Sequence, residues 1–244
     1  MTGQAVVVGA SGAVGSVLCR RLVARGMRVV GVARNTEALA DLDGVVACPA
    51  DVTHNDSIEV IRGAVEGPVD LAVIAVGLPV RGSVETIDPD LLAVGANVKL
   101  GGTTRLLHAV RDSLVDGSRF VAFAGTLGLE PRAHEAGPGA INAGLINLMK
   151  QISLLYGPKG VRVHTVVPGP ADTPRLRRIA EAVSSERGVD FDEVWLEYAA
   201  HNSLGRLPTV EEIAWAVEML LEPEAAIMHG SVLHLDAGGL HGMS

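Results

Sequence analysis

Aromatic residues are scarce in this chain: Phe, Trp and Tyr together make up 3% of its 244 residues. A core must then be filled by aliphatic side chains, and the 48% of hydrophobic residues are dominated by Val, Leu, Ala and Ile. Cysteine is almost missing. Cys19 and Cys48 are too few for a disulfide framework, and each falls in an apolar segment, so both are expected as small buried hydrophobes in a reducing compartment. No run approaches the ~18 consecutive apolar residues of a membrane-spanning helix. The opening MTGQAVVVGAS has no basic region followed by an apolar signal core. Positive charge is in deficit: 20 Lys and Arg against 28 Asp and Glu leave a net −8, the wrong sign for a nucleic-acid face. These absences predict a cytoplasmic protein with no nucleic-acid or membrane partner and a small molecule as its substrate.

What is present is an alternation. Short apolar runs lie at 5–10, 27–33, 45–50, 70–76, 119–125, 161–167 and 230–236. They lack the polar-apolar alternation of a half-exposed strand, as expected of strands buried on both faces. Helical patterns separate them at about 13–25, 55–66, 86–111, 138–157 and 209–222. Strands alternating with helices predict a Rossmann-type, doubly wound α/β fold: a parallel seven-stranded sheet with helices on both faces, in one domain over 1–244. The stretch 169–208 interrupts the rhythm, carries amphipathic pieces such as FDEVWLEYAA, and reads as a lid over a substrate.

The run VVVGASGAVGSVLCRRL places Gly9, Gly12 and Gly15 between the first strand and the first helix. Glycine permits the tight turn, close approach of backbone to a pyrophosphate, and packing of helix on strand. The helix start then offers free N–H groups to phosphates. The second strand ends Val32-Ala33-Arg34, without the carboxylate that meets a ribose 2′-hydroxyl. Arg34, with Ser11 in the glycine turn, suits a 2′-phosphate instead, which favours NADP(H) and leaves NAD(H) open.

From these motifs onward the chain resembles the short-chain dehydrogenase/reductase family along nearly its whole length. GASGAVG is similar to that family's glycine motif, and ADVT to its Asp-Val pair, which implies that Asp51 and Val52 flank an adenine. VDLAVIAVG resembles the family's fourth strand; Asp70 and Gly77 are kept, but Ile74 and Ala75 stand where asparagines are usual. ANVKLG resembles the helix bearing the family's active-site Asn, here Asn97, and YGPKGVRVHTVVPGPADTP its sixth strand and Pro-Gly motif, with Pro168, Gly169 and Thr173. The resemblance implies that Thr173 contacts a nicotinamide carboxamide. It also implies assembly through the helices near 97–111 and 138–157.

The same resemblance predicts a serine, a tyrosine and, four residues on, a lysine. Counting back from LLYGPKGVRV puts those positions at Gly125, Pro138 and Asn142. The two tyrosines of the chain, Tyr156 and Tyr198, are followed four residues later by Gly160 and Asn202, so no Tyr-x-x-x-Lys exists in any register. Nothing at these positions moves a proton. Groups nearby that can act are Thr126, beside the serine position, and the adjacent His134 and Glu135, with Asn97 as a fourth candidate; Trp195, Tyr198 and His201 offer themselves from the lid. Clusters with metal-ligand spacing are not read. The sequence leaves three functions open. One is an atypical NADP(H)-dependent enzyme of this family, performing non-standard reduction, cyclisation, dehydration or isomerisation of an apolar small molecule. Another is a catalytically silent subunit paired with an active relative, so the expected assembly is a homo-oligomer (dimer or tetramer) or a hetero-oligomer with that relative. The third is a dinucleotide sensor.

Overall fold

The computed structural model describes residues 3–78 and 80–242. The valine-rich runs form strands β1 (Gln4–Val8), β2 (Arg28–Ala33), β3 (Val45–Pro49), β4 (Val69–Ile74), β5 (Leu114–Phe123), β6 (Arg162–Pro168) and β7 (Val232–Leu235). All neighbours pair in parallel, in the order β3-β2-β1-β4-β5-β6-β7. The chain therefore winds outward from β1 to β3, returns to β4, and winds outward the other way. Loops leave the sheet in opposite directions at the β1–β4 boundary, which opens a crevice at the carboxyl ends of those strands.

The strand period of two splits the core into two layers. Val6, Val8, Ala72 and Phe120 face one layer with Ile61, Leu106, Leu145 and Met149. Ala5, Val7, Leu71 and Val121 face the other with Leu18, Leu22, Ile213 and Val217. The first layer packs helices α2 (Ser57–Ala64), α4 (Gly102–Val110) and α5 (Ala136–Tyr156); the second packs α1 (Ala13–Ala24) and α8 (Val210–Met219). The doubly wound expectation holds, and Cys19 and Cys48 are buried free thiols as read from the sequence.

Two expectations change. The helix read as continuous over 86–111 is broken: α3 (Pro89–Ala96) passes through a π turn at Asn97–Gly101 before α4 begins. Periodicity cannot show a π turn, because one widened turn leaves the apolar stripe almost in phase. Its buried stripe runs Gly95, Lys99, Thr103, Leu106 and Val110. The region 169–208 is not irregular. It holds α6 (Pro174–Arg187) and α7 (Phe191–Ala200), and Thr173 caps α6 by accepting a hydrogen bond from Leu176 N–H at 3.2 Å. The remaining bounds shift by a few residues; α5 starts at Ala136, so Pro138 lies in its first turn, where a missing N–H costs little.

Candidate active site

The glycine turn explains itself sterically. Gly9 has φ of +85°, and a Cβ there would lie 2.7 Å from the Ala75 carbonyl oxygen. A Cβ on Gly15 would lie 2.1 Å from the Gly9 carbonyl oxygen, so α1 can sit this close to β1 only without one. No side chain caps α1, whose N-cap is Gly12, and its first turn holds no acidic residue. Its first amides are left free at the positive end of the helix dipole.

Two cavities open beside this turn and share Ser11, Gly12, Ala75, Val76 and Gly77, forming one cleft across the β1–β4 crevice. The smaller, about 300 Å³, is lined by Gly9, Arg34, Asp51, Val52, Thr53 and Val98 among others. Asp51 Oδ1 accepts from Thr53 N–H at 2.9 Å and from Thr53 Oγ1–H at 2.8 Å. Burial pushes the Asp51 carboxyl up, but those two bonds, Arg34 and His54 outweigh it and hold it below the ordinary value. Arg34 stays exposed at the rim. The larger cavity, about 800 Å³, runs from Ser11 and Gly12 past Gly77 to Pro138, Asn142, Pro168, Gly169 and Thr173.

The sequence candidates separate here. Glu135 lines the larger cavity with Pro138 and Asn142. His134 is exposed and lines none of the cavities beside the sheet. Thr126 faces a neighbouring cavity of about 260 Å³ with Tyr198 and His201, because the short turn at Thr126–Gly128 rotates it away from the cleft. Trp195 is spent on packing: it stacks on Phe191 at 5.5 Å, with the Arg177 guanidinium 4.8 Å above it. Asn97 is structural. Its Nδ2 donates to the Thr53 carbonyl at 3.0 Å and its Oδ1 accepts from Arg105 at 2.9 Å, tying the π turn to the Asp51 loop.

Gly125 and Asn142 fit each other. A Cβ on Gly125 would come within 3.0 Å of Asn142 Nδ2, so the Asn142 amide fills the space a side chain at 125 would use. Asn142 is 6% exposed and its Oδ1 has no hydrogen-bond partner.

One residue of the cavity was not singled out from the sequence. Lys99 projects from the π turn, is 5% exposed, and lines the larger cavity. Its ammonium donates to the Phe123 carbonyl. Burial, helped by the Arg175 charge, pushes it down to about 7. The signal was present: a lysine occupying a core position of a helical stripe, between Gly95 and Thr103.

The cavity rim is cationic. Arg81, Arg175 and Arg178 line it together, with Glu135 as the one carboxylate among the lining residues. Arg175 arches over Gly77 and donates to the Leu78 carbonyl at 2.7 Å. Burial and then the charges of Arg81 and Arg178 lower its pKa, against Glu135. These arginines charge the rim of a cavity otherwise lined mostly by apolar side chains, such as Val80, Phe123, Leu127 and Ile179.

A family model described as enoyl-(acyl carrier protein) reductase matches residues 9–241. The chain is a short-chain dehydrogenase/reductase. Cis-4-hydroxycyclohexanecarboxylate dehydrogenase of Sinomonas cyclohexanicum is 30% identical, over 96% of this chain and 95% of that one. Among solved structures, a short-chain dehydrogenase family protein of Francisella tularensis superposes with a TM-score of 0.91 at 19% identity, covering 98% of this chain and 99% of that one. An actinorhodin polyketide ketoreductase variant with NADPH gives 0.89 at 26% identity, covering 99% and 98%. No helix among the described residues is long and apolar enough to cross a membrane.

Proposed function

We propose that this short-chain dehydrogenase/reductase is an NADP(H)-dependent reductase of a carbonyl compound bearing an anionic group, working without the family's Ser-Tyr-Lys set. The observation that carries this reading is the continuous cleft. It joins a glycine turn with free helix-start amides, the Arg34 rim and a larger cavity running to Pro138 and Asn142.

The residues fit a dinucleotide. The α1 amides and Ser11 would hold its pyrophosphate, Asp51 and Val52 would flank the adenine, and Arg34 would meet a 2′-phosphate. Gly77, Pro168, Gly169 and Thr173 would border the nicotinamide. When bound, that group supplies the hydride chemistry; the chain orients the acceptor and shields it from water. Arg81 and Arg178 would hold a carboxylate at the cavity mouth. The relative from Sinomonas is named for a hydroxycyclohexane carboxylate, a substrate that carries such an anion.

A second reading, a catalytically silent subunit in a hetero-oligomer, draws support from the paired substitutions at Pro138 and Asn142 and from exposed Leu154 and Leu155 on α5. Calorimetry with NADPH and NADH separates the two. The reductase reading expects NADPH to bind at least tenfold tighter than NADH. Failure of both to bind, together with co-purification of an active relative, would favour the silent subunit.

A further inference from the structure

We propose that Lys99 is the proton donor of this active site, serving from the π turn the role that Pro138 and Asn142 leave empty on α5. The inference rests on the reductase reading above and deepens it.

Elimination within the cavity leads to this residue. Among the ionisable side chains lining it, Arg81, Arg175 and Arg178 keep their protons throughout the working range of a protein. Glu135 is the carboxylate whose charge acts on Arg175. The Thr173 hydroxyl accepts the α6 cap bond and, as an aliphatic alcohol, does not ionise in that range. Both tyrosines of the chain are elsewhere: Tyr156 is packed in the first core layer, and Tyr198 lines the neighbouring cavity. Lys99 remains.

Its placement is that of a reacting group rather than of a surface cation. A lysine that merely filled the helix stripe would carry its charge out to water along its flexible stem. This one is held inside, with one N–H on the Phe123 carbonyl and no other protein hydrogen-bond partner among the described residues. An ammonium has three N–H bonds, so two remain for a ligand in the cavity it lines. Asn142 lines the same cavity, with its unpartnered Oδ1 itself buried. The charged group acting on Lys99 is Arg175 of α6; β5 presents the neutral Phe123 carbonyl and α5 the neutral Asn142 amide. In that setting the amine exchanges its proton near neutrality, as a general acid requires.

The step balances simply. A bound dinucleotide would supply the hydride to the carbonyl carbon, and the carbonyl π electrons would move to oxygen. That oxygen bonds the Lys99 proton as the N–H bond breaks, giving an alcohol and a neutral amine. The amine regains its proton from water at the cavity mouth.

The test uses protein labelled with ¹³C at the lysine Cε. The chain has three lysines, Lys99, Lys150 and Lys159, so the Lys99 signal is the one missing in Lys99→Met. It is expected to titrate close to pH 7 and to shift when NADPH is added. With 4-oxocyclohexanecarboxylate as substrate, Lys99→Met is expected to lower kcat by ~10²–10⁴, with NADPH affinity held within about threefold. In wild type kcat/KM should fall above pH 7. Lys99→Arg, which keeps the charge but cannot release it, should stay slow and lose that limb. A Lys99 signal titrating above pH 9, or indifferent to NADPH, overturns the assignment even if this ketone is not turned over. Full turnover in Lys99→Met does the same. Absence of NADPH binding in wild type instead overturns the reductase reading, and the lysine titration then stands as a separate result.

Discussion

On the β1 side of the cleft the glycines are hemmed in by backbone; on the β5 side Gly125 is hemmed in by a side chain. Gly9 and Gly15 are pinned by carbonyl oxygens 2.7 and 2.1 Å from where a Cβ would be. Gly125, across the sheet, is limited by the tip of the Asn142 amide at 3.0 Å. The ionisable groups differ in the same way. Asp51 is half-exposed and satisfied by Thr53, whereas Lys99 and His164 are buried in the second half and pushed to about 7 and about 4. A wall of backbone accepts almost no sequence change, while a wall of side chains can exchange one chemistry for another on an unchanged frame.

The strongest way to break the comparison is to remove the buried charge. At pH 7 Lys99→Met should be more stable than wild type by up to roughly 5 kcal/mol, the equivalent of the shift from 10.5 to about 7. The unfolded lysine holds its proton up to pH 10.5 and the folded one releases it near 7, so wild-type stability rises with pH through that window. Urea titrations at pH 7 and 10 should show the rise in wild type and none in Lys99→Met. Acid probes the other buried group. Burial above all, then His229 and Arg119, lowers His164, against a weak backbone contact with Met228 that does not reach hydrogen-bond geometry. The unfolded imidazole binds a proton below 6.5 and the folded one only near 4. Stability should therefore drop by roughly 3 kcal/mol as pH falls through that interval. His164→Val should flatten this part of the pH curve.

Glycine substitutions sharpen the contrast at a smaller scale. Alanine normally gains up to ~1 kcal/mol over glycine inside a helix. Gly15→Ala should instead cost roughly 1–3 kcal/mol and weaken NADPH binding, because backbone must move. Gly125→Ala should cost less than about 1 kcal/mol, since the Asn142 amide can give way. Thermal melts of the pair decide it; equal losses would erase the distinction between the two walls. Smallest is Arg34→Ala, expected to weaken NADPH about tenfold, leave NADH unchanged, and lose its effect at high salt because the side chain is exposed.

The sheet, its strand positions and the β1–β4 crevice were legible because valine runs, glycine spacing and turn residues are local signals. That Ser11, Gly12, Arg34, Asp51 and Thr173 line one cleft was legible for the same reason: they lie at element ends, where position follows from order along the chain. The substrate end was not. Thr126 and His134 are neighbours in sequence of cavity residues, but a 3₁₀ turn and an exposed loop send them elsewhere. Lys99 was passed over because charge on a helix is ordinarily read as solvent-facing, and whether its stem ran inward was decided by packing against β5 and α5. The arginine rim joins Arg81 to residues 94 and more positions away, which no spacing rule could bring together.

The π turn at Asn97–Gly101 gives the site an unusual grammar. Such a turn carries one residue more than a regular helix would need over the same rise. Taking a single residue out of it would let α3 run smoothly into α4 and swing Lys99 about 100° round the helix axis, away from the cavity. Presence or absence of a proton source in this cleft would then hinge on chain length rather than on side-chain identity, and a one-residue deletion could silence the protein while every named cavity residue stayed in the sequence.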